Sequence, residues 1–156
     1  MEKTLSPIKI FSMEPDEFFK IFIQDALMIY SPREAVLTFS SSVKETLDTL
    51  SQHLPEVPDI IFLDLAVLSE PGGKIEMQGG FRVLKVLRSK EAFQKVPIIM
   101  LSKYGEKSLQ KKAIKLGATR YLVKGECMPR DIAETVACAD KIYPNSIKRV
   151  FPWVRK

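Results

Sequence analysis

Histidine is almost missing: His53 is the single one in 156 residues, which removes any His-dependent catalytic triad and most mixed Cys/His metal sites. Cysteine is nearly as scarce. Cys127 and Cys138 show no framework spacing, so a disulfide-built fold is excluded and both read as reduced thiols of a cytoplasmic protein. The N-terminal residues lack the basic-then-apolar pattern and small-residue cleavage site of a secretory signal, so none is expected. No apolar run approaches the roughly 20 residues that span a bilayer. Residues 21–30 are interrupted by Gln24 and Asp25, and residues 60–68 by Asp64, so no membrane insertion is expected. Internal repeats and low-complexity tracts are absent. The body also lacks net charge: the +5 of the whole chain equals the five cations Lys141, Lys148, Arg149, Arg155 and Lys156, which share residues 141–156 with no acid.

What is present is apolar material in short, regular blocks. A hydrophobic content of 46% is enough for one ordinary core. Ile8, Ile10 and Phe11 mark a strand ending at Ser12, and Pro15 with the acids Glu14, Asp16 and Glu17 suits a helix first turn. Phe19, Phe22, Ile23, Ala26 and Leu27 follow at helical spacing. Residues 35–39 predict a second strand, with Ser42 as a helix cap before Val43, Leu47 and Leu50, and that helix ends near a surface His53. Residues 60–63, Ile-Ile-Phe-Leu, suit a strand buried on both faces. Residues 66–79 read as a long glycine-punctuated loop, then Phe81, Leu84 and Leu87 form a helix face. Residues 97–101 and 121–123 predict two more strands, separated by a polar helix that stops at Gly117. A last helix runs from Arg130 to about residue 142. Strands alternating with helices imply βαβ units and a doubly wound parallel sheet covered on both faces.

Three strand ends in this reading carry chemistry, and in a doubly wound sheet they converge on one edge. Asp64 is a carboxylate able to accept a phosphoryl group as an acyl phosphate. Ser102 supplies a hydroxyl for a phosphoryl oxygen, and Lys124 a cation that neutralises charge. Asp64 alone would read as a strand-end turn acid; the trio is what makes it a site. The glycine pairs Gly72-Gly73 and Gly79-Gly80 lack phosphate-loop spacing and a following Lys-Ser/Thr, and read as flexible connections.

The stretches P-D-I-I-F-L-D-L, G-G-F-R-V-L-K-V-L-R, V-P-I-I-M-L-S-K-Y-G-E and A-I-K-L-G-A-T-R-Y-L-V-K, in this order, resemble the receiver domains of two-component response regulators. The resemblance implies a flavodoxin-like (βα)5 α/β fold with strand order 2-1-3-4-5, spanning residues 6–142, and a basic, aromatic extension over residues 143–156. By position, Asp64 falls on the phosphoaccepting aspartate, Ser102 on the switch hydroxyl, Lys124 on the site lysine and Tyr121 on the aromatic switch. Mg²⁺ is the implied cofactor, with Asp64 and the main-chain carbonyl of Ala66 among its ligands.

The departures are specific. Ser12-Met13 stand where receivers carry two adjacent acids, and methionine offers Mg²⁺ no hard oxygen. The metal site is therefore weakened, or rebuilt with Glu14 or Asp16 if the first helix sets the register. Gly80 lies sixteen residues past Asp64, about eight more than usual, so the connecting loop carries an insertion beside the site. Lys103 and Gly125 replace a small residue and a proline. These features imply an atypical, stand-alone receiver that takes phosphoryl from a histidine kinase or phosphotransfer protein and switches binding of a downstream protein. Catalysis is limited to its own phosphorylation and dephosphorylation. A phosphorylation-independent pseudo-receiver acting as an interaction module is the alternative. A flavin- or nucleotide-binding protein of the same fold would need a phosphate loop after the first strand, and residues 12–17 offer none. The tail cations carry no motif for specific nucleic-acid recognition, so no nucleic-acid partner is expected.

Overall fold

In the computed structural model, residues 6–52 and 57–139 are described. Five parallel strands, β1 (Ile8–Met13), β2 (Ala35–Ser40), β3 (Ile60–Leu63), β6 (Ile98–Ser102) and β7 (Arg120–Val123), form one sheet in the order β2-β1-β3-β6-β7. That is the flavodoxin-like order inferred from the sequence, with two further strands falling between the third and fourth places. These are β4 (Val67–Leu68) and β5 (Ile75–Glu76), an antiparallel pair.

This pair corrects the reading of residues 66–79 as loop. The insertion is a small hairpin whose tip turns at Gly72, where φ is +74° and glycine alone carries no Cβ strain. It is tied down along its length. Leu68 bridges Ser42, and the Lys44 amide donates to the Ser69 carbonyl at 2.9 Å. Two-residue strands fall below the length at which alternation can be read.

The helices cover both faces, as buried parallel strands require. α1 (Glu17–Tyr30) and α5 (Pro129–Ala139) lie on one side, over Ile8, Ile10, Ile60, Phe62, Ile99 and Leu101. α2 (Val43–Gln52), α3 (Gly79–Arg88) and α4 (Lys107–Lys115) cover the other, over Phe11, Met13, Ile61, Leu63, Ile98 and Met100. The period of two along β3 sends Ile60 and Phe62 one way and Ile61 and Leu63 the other, and all four are fully buried.

Local signals behave as their chemistry dictates. Asp16 caps α1, its carboxylate accepting from the Phe18 amide at 2.9 Å, so the helix begins at Glu17. Ser42 Oγ accepts from the Glu45 amide, the predicted cap of α2. Gly117 has φ +104° after α4. Its carbonyl, with those of Phe93 and Val96, accepts from the half-buried Arg88 at 2.8, 2.6 and 2.8 Å. This one guanidinium fastens the end of α3, the entry to β6 and the end of α4. The predicted positions of His53 and the 142/143 boundary lie outside the described residues.

Candidate functional site

β1 runs one residue beyond the predicted stop at Ser12, and Met13 pairs with Leu63 and Ser40. Strand extension fixes the register that the sequence left open: Glu14 is the first residue past β1, at the same level as Asp64 past β3. Backbone bonds hold both in place. The Glu14 amide donates to the Ser40 carbonyl at 2.9 Å and the Asp64 amide to the Met13 carbonyl at 3.0 Å.

Lys124, one residue past β7, reaches between them. Its Nζ lies 2.9 Å from Asp64 Oδ2 and 2.7 Å from Glu14 Oε2, and donates to Glu14 Oε1 at 2.9 Å. Asp64 Oδ1 accepts from the Leu65 amide at 2.7 Å. Under the ammonium sits the ring of Phe19, 4.6 Å away. A cation over a ring face gains electrostatic attraction, so Phe19 supports the lysine from below. Phe19 reads in sequence as core alone, and only the fold reveals its second contact.

Burial drives the electrostatics. Glu14 is 1% exposed, and removal from water pushes its pKa up to about 7, against the opposing pull of Lys124 and with a further push from Asp64. Asp64 is also raised by burial, with Lys124 holding it back. Burial alone would lower Lys124, yet the two carboxylates outweigh it and raise it above the ordinary range.

The remaining site residues divide. Ala66 and Asp16 join Asp64 and Lys124 around a cleft of about 500 Å³ that also meets Ile75 and Met77 of the hairpin. Ser102 is fully buried at the end of β6, its hydroxyl accepting from the Tyr104 amide at 3.1 Å. Tyr121, half-buried on β7, donates its hydroxyl to the Tyr104 carbonyl. Thus Ser102 and Tyr121 grip the same peptide segment from two sides, and among the described residues no hydrogen bond joins either to Asp64.

Sequence reasoning missed how closely α3 approaches the site. A Cβ on Gly80 would lie 2.2 Å from the Asp64 carbonyl oxygen, so only glycine lets the helix start there.

Residues 23–137 match the response regulator receiver domain family. This chain belongs to that family. A two-component response regulator-like protein, APRR1 of Arabidopsis thaliana, is 28% identical to this receiver over 88 residues, covering 56% of this chain and 13% of that protein. The chemotaxis response regulator CheY4 of Vibrio cholerae superimposes with a TM-score of 0.67 at 18% identity, over 86% of this receiver and 99% of that chain. The Mn²⁺-bound response regulator Rcp1 gives 0.67 at 16% identity, over 89% and 96%. At these identities the solved structures show the shared fold. Receiver domains are signalling modules that generally bind a divalent cation, and whether these residues suit one follows from the donors. Glu14 Oε2 is buried 2.7 Å from Lys124 Nζ, and its carboxylate, with that of Asp64 and the Ala66 carbonyl beside the cleft, offers hard oxygen chemistry. Asp16 spends a carboxylate oxygen on its helix cap. The donor types fit Mg²⁺, with fewer side-chain carboxylates than an aspartate pair would add.

Proposed function

We propose that this receiver is a phosphorylation switch in which Asp64 accepts a phosphoryl group from a histidine kinase or phosphotransfer protein. The observation that carries this is Lys124, which lines the cleft with Asp64 and is held between Asp64 and Glu14. In the transfer, an Asp64 carboxylate oxygen forms a bond to phosphorus as the bond to the donor histidine nitrogen breaks, and that nitrogen keeps the electron pair. Lys124 neutralises the added charge. At an effective dielectric of about 20, unit charges near 4 Å interact by roughly 4 kcal/mol. Mg²⁺, when held by Glu14, Asp64 and the Ala66 carbonyl, would neutralise phosphoryl oxygens further.

Ser102 and Tyr121 then act as the switch. The Ser102 hydroxyl leaves the Tyr104 amide for a phosphoryl oxygen, and Tyr121 follows the released segment. The face of α4, β7 and α5 thereby changes its affinity for a downstream protein, a shift that needs only a few kcal/mol of differential contact. The replaced acidic pair and the hairpin make this an atypical member under the same reading. Among the described residues no helix is long and apolar enough to cross a membrane.

A second reading has its own observation. Both Asp64 oxygens are already engaged, one by Leu65 and one by Lys124, and Glu14 closes the trio. A pseudo-receiver that presents a fixed shape to its partner would keep such a closed site. The deciding experiment treats wild type and Asp64→Ala with a small phosphodonor, with and without Mg²⁺. A Mg²⁺-dependent mass gain of one phosphoryl group, absent in Asp64→Ala, supports the switch; folded wild type that stays unmodified at high Mg²⁺ supports the fixed module.

A further inference from the structure

The hairpin inserted after Asp64 is fastened more firmly than a spacer requires. Val67 of β4 is buried in the core, and a Cβ on Gly79 would lie 2.8 Å from its side chain, so the start of α3 is fitted against it. The second strand is pinned by an ion pair. Arg82, in the first turn of α3, meets Glu76 through two bonds, Nε to Oε2 at 3.0 Å and Nη2 to Oε1 at 2.5 Å. A bidentate guanidinium–carboxylate pair fixes direction as well as distance. Neighbouring residues of an extended segment face opposite ways. With Glu76 turned toward Arg82, Ile75 and Met77 turn the other way, and both line the cleft that Asp64 and Lys124 also line.

The core does not explain these two side chains. Ile75 and Met77 are 65 and 55% exposed and pack into neither side of the sheet. The chemistry of the cleft gives them a role. An acyl phosphate on Asp64 is lost when a water oxygen bonds to phosphorus and the phosphorus–Asp64 oxygen bond breaks, its electron pair returning to the carboxylate. The phosphate keeps one hydrogen of that water, and the other leaves as a proton. A polar side chain that holds the water and accepts this proton speeds such a step. Asp64 is 8% exposed and opens on this cleft, which is therefore the route for water. Isoleucine brings no polar atom to it, and methionine only a weak thioether acceptor. Elsewhere around the cleft, Asp16 caps α1, and Lys103, 5.4 Å from the Tyr104 ring centre, brings donors and no acceptor.

We propose, resting on Asp64 as the phosphoacceptor, that Ile75 and Met77 set the lifetime of its phosphoryl group. The hairpin gives the cleft an apolar wall at which attacking water is neither held nor relieved of its proton.

Protein phosphorylated with acetyl phosphate and Mg²⁺ would be desalted into fixed Mg²⁺, and loss of the phosphoryl mass followed by intact mass spectrometry. Wild type is compared with Ile75→Gln/Met77→Gln, with Ile75→Leu/Met77→Leu, and with Ile114→Ser, an exposed apolar position outside the cleft. Circular dichroism and urea midpoints confirm that the surface variants fold. The glutamine variant should lose its phosphoryl group several-fold faster, with the leucine variant and Ile114→Ser at the wild-type rate. A glutamine variant that decays like wild type overturns the proposal and leaves the switch standing. So does a leucine variant as fast as the glutamine one, which would assign the effect to hairpin shape. Wild type that never gains the phosphoryl mass removes the switch and this role together.

Discussion

Replacing Gly80 by alanine tests how tightly α3 is fitted to the site. The new Cβ would sit 2.2 Å from the Asp64 carbonyl oxygen and 3.0 Å from both the Asp64 carbonyl carbon and Leu65 Cα. Ordinary contact begins at 3.4 Å, so more than 1 Å must be recovered from backbone on both sides. The helix cannot simply retreat, because the Gly80 amide donates to the Leu65 carbonyl at 2.9 Å. Overpacking of this kind costs about 1–3 kcal/mol and a weakened hydrogen bond about 1. Alanine returns about 0.5–1 kcal/mol through helix propensity. The net expectation is a loss of about 2 kcal/mol, or roughly 4–8 °C in melting temperature. Gly125→Ala is the control: its Cβ meets nothing within 4 Å, and the change should stay within about 0.5 kcal/mol. Urea unfolding of both variants beside wild type reads the difference directly. Equal stability of Gly80→Ala and Gly125→Ala would refute the close approach.

Three further outcomes follow from the buried polar groups. Lys124→Met leaves two buried carboxylates without their cation; a loss of about 3–5 kcal/mol is expected at pH 8, shrinking at pH 5 as they protonate, in urea titrations at the two pH values. Glu14 carries a folded pKa of about 7 against an ordinary 4.5, so the folded state holds this proton more tightly. Its stabilising effect is full below pH 4.5 and lost as pH rises through 7. Wild type should therefore lose about 3 kcal/mol relative to Glu14→Gln between pH 4.5 and 8, and a gap that does not change with pH would contradict the burial argument. Arg88→Met frees three carbonyls and should cost about 2 kcal/mol, seen as a lower urea midpoint with unchanged slope.

The sheet was legible because its strands are written in branched and aromatic residues whose ends are punctuated. Residues 60–63 could hardly be anything else, and Asp64 and Lys124 take their positions from the strands before them. Glu14 was harder. Ser12 and Met13 continue β1 past its obvious apolar tract, and a serine buried in a strand gives no signal of pairing until its neighbours are known. The hairpin escaped because glycines and Pro71 punctuate a stretch whose two strands are two residues each. Gly80 meets Asp64 and Arg88 meets Gly117 far along the chain, and the nearer Arg88 partners are main-chain carbonyls, so neither residue leaves a local pattern.

Lys124 is 110 residues from Glu14 and 60 from Asp64 along the chain. This separation makes the trio a clasp across the first, third and last strands of the sheet. β1 and β3 contain everything needed to pair with each other, yet closing the sheet over their two terminal acids leaves negative charge with no counterion. The ammonium that relieves it arrives only when β7 docks on β6. Contacts between residues this far apart raise the contact order of the fold. The charge trio is therefore complete only where β1, β3 and β7 share one sheet.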